Sequence, residues 1–216
     1  MQAGLRVAIC EQVEDPKQAK GIVKRKVVEV ATPGSAMSEQ FLTAKESNYL
    51  VCVYAGDKQI GLSFLDVSTG KFNVLELQVN QLRAFLAGLA PREILLSEDD
   101  SESESYLGRG KWLLTRVESW VFNPDFALNE LTKQFKTQGL KGFGMSGMKA
   151  GTSAAGAILY YLQSYQGRDL KHVTGIQSLS ADDWMTIDDE SLRNLELFRS
   201  LRGGDEGTLI SALDES

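Results

Sequence analysis

An α/β domain built on a mixed five-stranded sheet, with a partial domain on either side, is the architecture this sequence predicts, and three observations carry it. Residues 48–78 alternate like a hairpin-linked meander. From Leu82 onward helical and strand-like segments take turns. Apolar runs at both ends of the chain lack the neighbours they would pack against. Val7, Ala8 and Ile9 form a strand-like run with Cys10, yet only six residues precede them. At the other end an amphipathic segment, a Gly203-Gly204 break and a second helix starting at Thr208 follow one another before Ser216. The expectation is a piece of a longer polypeptide, divided into a remnant at 1–33, a central domain at 34–167 and the start of a further domain at 168–216.

Within the central domain each element has a local reason. Asn48–Ala55 is a continuous apolar run suited to a buried strand; Gly56-Asp57-Lys58 turns it back into Ile60–Val67, where Ile60, Leu62 and Phe64 share a face. Ser68-Thr69-Gly70 makes a short hairpin whose glycine tolerates the left-handed conformation, and Phe72, Val74 and Leu75 continue a third strand. Leu82, Phe85, Leu86 and Leu89 recur at helical spacing, Pro91 ends that helix, and Glu93–Ser97 is a short strand. The acidic, serine-rich DDSESES at 99–105 is a surface loop or weak helix start, and Trp112–Val117 a fifth strand. Asn123-Pro124-Asp125 opens a helix over 125–137, with a capping asparagine, a proline in the first turn and a carboxylate against the dipole; Phe126, Leu131 and Phe135 mark its apolar face. A glycine-rich loop at 142–147 precedes a helix over 152–166, whose Ser153, Ala154, Ala155, Gly156 and Ala157 permit close approach to a neighbour. Beyond Gly167 the pattern becomes extended at 173–179 and 184–187, then helical over 189–201. Three hairpin-linked strands followed by helix, strand, helix, strand, helix is the order of a ribonuclease H-like domain.

Composition, 43% hydrophobic and 24% charged, is that of an ordinary globular protein of the cytoplasm. No apolar run approaches the roughly eighteen residues of a membrane span, and the first residues have no signal-peptide pattern. Cys10 and Cys52 sit in apolar strand-like runs, so both are expected as reduced core residues. A net charge of -6 argues against nucleic-acid binding by these residues alone, because duplex affinity rests on cations meeting phosphates.

Four blocks carry a family resemblance: VAICEQVEDP at 7–16, KRKVVEVATPGS at 24–35, GLSFLDVSTGKF at 61–72 and MTIDDESLRNLELFRSLRGGDEGTLISALD at 185–214. In order and spacing they resemble the MutS family of DNA mismatch repair ATPases over nearly the whole chain. The resemblance implies the tail of the mismatch-binding domain, a non-catalytic connector domain of ribonuclease H-like fold, and the start of the core leading to the lever. It further implies a homodimeric parent that binds mismatched duplex DNA, ATP and Mg²⁺ through other domains, and a connector helix that docks the partner MutL. Glu130, Lys133 and Gln134 are the expected docking residues on the exposed face of the 125–137 helix; Glu130 stands where the family pattern suggests glutamine. The family's wedge, an aromatic in a Phe-x-Glu motif, is not among the nine phenylalanines here, and no nucleotide loop is present.

Other motifs are weighed by the same chemistry. GFGMSGMKAGTS at 142–153 has glycines and a lysine before a helix, but Lys149 follows Met148 and precedes Ala150, so it lacks the phosphate-loop spacing. Asp66 with Asp99 or Asp100 would suit a metal-dependent ribonuclease H-like nuclease if the carboxylates converged; the plainer reading gives Asp66 hydrogen bonds to Ser68 and Thr69 in the hairpin. One histidine, His172, and two distant cysteines make no zinc set. Lys17, Lys20, Lys24, Arg25 and Lys26 form a basic cluster diluted by Glu11, Glu14 and Asp15 and read as solvated surface. Catalytic, cofactor and metal residues are therefore not expected in this chain.

Overall fold

The computed structural model describes residues 7–12, 25–34 and 48–180 apart from 109, 111 and 168, together with residues 191, 194–196 and 208. Strands β1 (Val7–Gln12) and β2 (Arg25–Ala31) pair antiparallel as a separate ribbon. The main sheet has six strands, β3 (Tyr49–Ala55), β4 (Ile60–Asp66), β5 (Lys71–Leu77), β6 (Glu93–Ser97), β7 (Leu113–Val117) and β8 (Gln177–Ser178), in the order β7-β6-β3-β4-β5-β8. The meander β3-β4-β5 is antiparallel, whereas β6, β7 and β8 each join parallel to a neighbour, so the sheet is mixed as expected.

Helices cover both faces. On one, α1 (Val79–Leu89) and α2 (Ser101–Leu107) bring Leu82, Leu86 and Leu107 against Ile60, Leu62, Phe64, Val51 and Ile94. On the other, α4 (Lys149–Tyr160) and α3 (Pro124–Phe135) bring Ala154, Ile158, Leu159 and Leu131 against Leu50, Cys52, Leu65, Phe72 and Val74. Ile60, Leu62 and Phe64 do share a face, but every residue of β4 is buried because helices close both sides. The Asn123 side chain accepts from the Asp125 and Phe126 N–H groups, the cap its sequence predicts.

The small residues of α4 have a geometric reason. A Cβ added at Gly61 would lie 2.1 Å from the Ala150 carbonyl carbon, and one at Gly156 would lie 2.4 Å from the Ala127 Cβ. α4 thus meets β4 on one side and α3 on the other nearly backbone to backbone, and larger side chains would hold these elements apart.

Four expectations are corrected. The serine-rich 99–105 stretch is neither loop nor weak start: Asp100 caps α2, accepting from the Ser103 N–H at 2.8 Å and the Ser103 hydroxyl at 2.5 Å. The sheet has a sixth strand, β8, because the extended 173–179 segment pairs with β5 at Asn73 and Val74. The predicted 152–166 helix starts earlier, at Lys149, and its last turn widens into a π-helical turn at Tyr161–Tyr165. Cys10 is exposed rather than in a core, on the same side of β1 as exposed Ala8, while Cys52 is buried. Contacts with the sheet continue past residue 167, with Leu170, Val173 and Ile176 in the core. The extended 184–187 segment, most of the 189–201 helix and the second helix after Thr208 lie outside the described residues.

α1 ends with its residues in an unfavourable order. Gly88 is exposed in the last turn with nothing within 4 Å of where a Cβ would sit, while Ala90 forms the cap at φ 49°, ψ 56°, a conformation suited to glycine. The exchange Gly88→Ala with Ala90→Gly is expected to stabilise the fold by about 1–2 kcal/mol, read as a raised urea midpoint at unchanged slope.

Where the ribbon joins the sheet, a buried polar cluster fastens the chain. Fully buried Glu93 accepts from the Thr115 hydroxyl at 2.6 Å, the Tyr161 hydroxyl at 2.9 Å and the Gly34 N–H at 3.3 Å. Beside it the Gln166 side-chain amide donates to the Thr32 hydroxyl at 3.2 Å. Burial, and then the neighbouring Glu93 carboxylate, pushes the Tyr161 hydroxyl from 10.0 up to about 12. A raised pKa favours the protonated folded state, so this contribution is intact below pH 10 and lost as pH climbs to about 12. Denaturant titrations over that interval should show a loss of at most about 3 kcal/mol that Tyr161→Phe abolishes.

Candidate functional site

The three residues expected to dock a partner line one cleft. The C-terminal half of α3, Gln163 of the π-helical turn and the returning segment 169–174 enclose a volume of about 530 Å³, with Glu130, Lys133 and Gln134 on the α3 wall and Phe135 among its apolar lining. Lys133, Lys136 and Lys171 supply positive charge and Glu130 and Asp169 negative, so the rim carries both signs. Lys171 pairs with Asp169 at 2.6 Å, and its ammonium holds the Asp169 carboxyl below the usual carboxylate range.

Gln134 departs from its expected place on an exposed face. It is half-buried, its side-chain NH₂ donates to the Leu170 and Val173 carbonyls at 2.9 Å each, and its oxygen accepts from Gln163 at 2.9 Å. The first two bonds hold the returning segment against α3 and the third ties α3 to the π-helical turn, so Gln134 builds the wall of the cleft. Lys133 is exposed and Glu130 half-buried, and they are the α3 charges facing the opening. The sequence reading missed Gln163 and the 170–173 wall; the apolar pair Leu170 and Val173, three residues apart just after Gly167, was the available signal.

The nuclease arrangement of Asp66 with Asp99 or Asp100 is overturned by topology. Asp66 lies opposite Tyr49 at one end of β3, while Asp100 accepts from the Ala55 N–H at the other end. Six residues of strand separate the two ends, about 20 Å at 3.3 Å per residue. Each carboxylate is also committed locally. One Asp66 oxygen accepts from the Ser68 N–H at 2.9 Å, the Ser68 hydroxyl at 2.6 Å and the Thr69 N–H at 3.4 Å. Asp99 accepts from the Ser119 hydroxyl.

The glycine-rich loop at 142–147 passes through a 3₁₀ turn into α4, whose Gly151 N–H donates to the Glu76 carboxylate at 2.9 Å. A side chain of β5 thus takes the place an anion would need. His172 is exposed and bonds the Val67 carbonyl at 2.8 Å through Nε2, pinning the returning segment to the β4–β5 hairpin. The basic positions 17–24 lie outside the described residues.

Comparison with known proteins places these elements. The sequence model of MutS domain II matches residues 48–174, and that of MutS domain I matches residues 1–40. DNA mismatch repair protein MutS of Salinibacter ruber is 43% identical over 223 residues, that of Flavobacterium johnsoniae 41% over 217 and that of Chlorobaculum tepidum 39% over 222. The first two alignments cover 100% of the chain and the third 99%, against 25% of each relative. The chain therefore spans about a quarter of the length of these relatives.

Proposed function

The chain belongs to the MutS family of DNA mismatch repair proteins, and from that premise we propose that it is the connector portion of such a protein, a non-catalytic domain II with part of domain I before it. On this reading the parent binds mismatched duplex DNA and ATP with Mg²⁺ through regions outside these residues, works as a homodimer in the cytoplasm, and uses this domain to link its mismatch-binding and ATPase ends. Among the described residues no helix is long and apolar enough to cross a membrane. The cluster around Glu93 supports the linking role, since it ties the exit of β2 into the sheet through Thr32 and Gly34.

The docking of MutL is assigned to the cleft between α3 and the 169–174 segment. The observation that carries it is the convergence of Glu130, Lys133 and Gln134 on that one concave surface, where an apolar ring and charges of both signs suit a polar-rimmed protein contact. Reversing the two α3 charges together, Glu130→Lys with Lys133→Glu, is expected to weaken MutL recruitment by the full-length protein on mismatched DNA about tenfold, or about 1.4 kcal/mol. Mismatch binding and ATP hydrolysis should stay nearly unchanged, because neither side chain is in the core. Surface plasmon resonance on mismatched DNA reads recruitment and mismatch binding, a phosphate-release assay reads ATP hydrolysis, and undiminished recruitment by the double variant would remove the assignment.

A further inference from the structure

At the opposite end of α3 from the cleft, four aromatic rings form one surface. Trp120, in the 3₁₀ turn after β7, stands edge-to-face with Phe126 of α3 at 5.0 Å and with Tyr160 of α4 at 5.1 Å, and Tyr160 meets Tyr165 at 6.0 Å. Trp120 is 51% exposed and Tyr165 42%. Phe126 and Tyr160 are half-buried behind them, and exposed rings packed on other rings are what protein interfaces use as anchors.

The rim of the patch is acidic. Glu98 and Asp99 both accept from Ser119, the residue before Trp120, and Glu118 accepts from the Tyr165 hydroxyl. That hydroxyl holds the Glu118 carboxyl below its ordinary range. Among the described residues, Arg116 lies next to this rim and is committed to Glu104 and to the Ser97 and Glu98 carbonyls. Electron-rich ring faces within a border of carboxylates complement a guanidinium or ammonium group.

We propose that this aromatic patch is an intramolecular docking surface, covered in the full-length polypeptide by an arginine- or lysine-bearing segment from outside these 216 residues. Two facts favour that source over a separate protein. Relatives run to about four times this length, so most of a family member's polypeptide is available to cover it. The patch also adjoins the interdomain crossing, because Gln166, next to Tyr165, bonds Thr32.

Hydroxyl-radical footprinting with mass spectrometry on the 216-residue chain and on the full-length protein tests this. Trp120 and Tyr165 should oxidise readily in the short chain and several-fold more slowly in the full-length protein. Glu98→Lys with Asp99→Lys in the full-length protein should restore fast oxidation, as should high salt; both carboxylates are exposed, and the milder Glu98→Gln with Asp99→Asn should act in the same direction. Equal rates in the two proteins overturn the proposal. So does protection already present in the short chain, protection that appears only when a second protein is added, or protection indifferent to charge reversal.

Discussion

Replacing Glu93 with alanine is expected to remove about 3–5 kcal/mol of folding stability, although the residue touches no proposed partner. Glu93 is 0% exposed and terminates three donors, the Thr115 and Tyr161 hydroxyls and the Gly34 N–H. Alanine would take away the acceptor that all three share and leave a cavity, and each buried donor that goes unsatisfied costs about 1–3 kcal/mol. Glu93→Gln should fall between the two, because an amide oxygen still serves the hydroxyls while its NH₂ is turned toward the Gly34 N–H, donor against donor. Urea denaturation measures the loss, and hydrogen exchange at Gly34 reports the link to β2 separately. A Glu93→Ala protein within about 1 kcal/mol of the parent would mean that water replaces the carboxylate at no cost, contrary to its burial.

A comparable loss is expected from Gly61→Val, a change that intrinsic strand preference would favour. The added Cβ would fall 2.1 Å from the Ala150 carbonyl carbon, 2.2 Å from its oxygen and 2.5 Å from the Gly151 nitrogen. These are backbone atoms of α4, and α4 is backed by α3 at Gly156 and Ala127, so neither side has a flexible side chain that could move aside. Overpacking of this kind costs about 3 kcal/mol at the upper end of its usual range, on the order of 10 °C in melting temperature for a domain this size. Circular dichroism melting decides it. If Gly61→Val melts with the parent, the close seat of α4 on β4 is wrong.

The elements that depend on neighbours in sequence were the legible ones. The meander, the Asn123 cap, the small-residue helix and the turn bonds of Asp66 all follow from residues a few positions apart, and the family resemblance agreed with the element order they produced. What escaped reading depends on distant partners. Ser101–Leu107 has weak helix formers, and Asp100 with the packing of Leu107 decides its state. β8 exists only because β5 offers an edge. Gln134 looked like one more polar residue on a solvated face until Leu170 and Val173 came within reach of its amide. Cys10 looked like core because an apolar run does not say whether a second layer covers it. Glu93 read as one member of a short strand, and nothing near it in the sequence announced that Thr115, Tyr161 and Gly34 would converge on its carboxylate.

The shortest strand has a bearing on how this polypeptide behaves when it is cut. Gln177 and Ser178 occupy the outer edge of β5 at Asn73 and Val74, and the Leu179 N–H adds a further bond to the Val74 carbonyl at 2.8 Å. A piece ended at residue 174, where the match to domain II stops, would lose Ile176 from the core and strip that edge. The run KFNVLEL would then offer unpaired main-chain groups beside Phe72 and Val74, an open template for strand addition by another molecule. The few residues after 174 thus serve twice, supplying Ile176 to the core and covering an edge that would otherwise invite self-association.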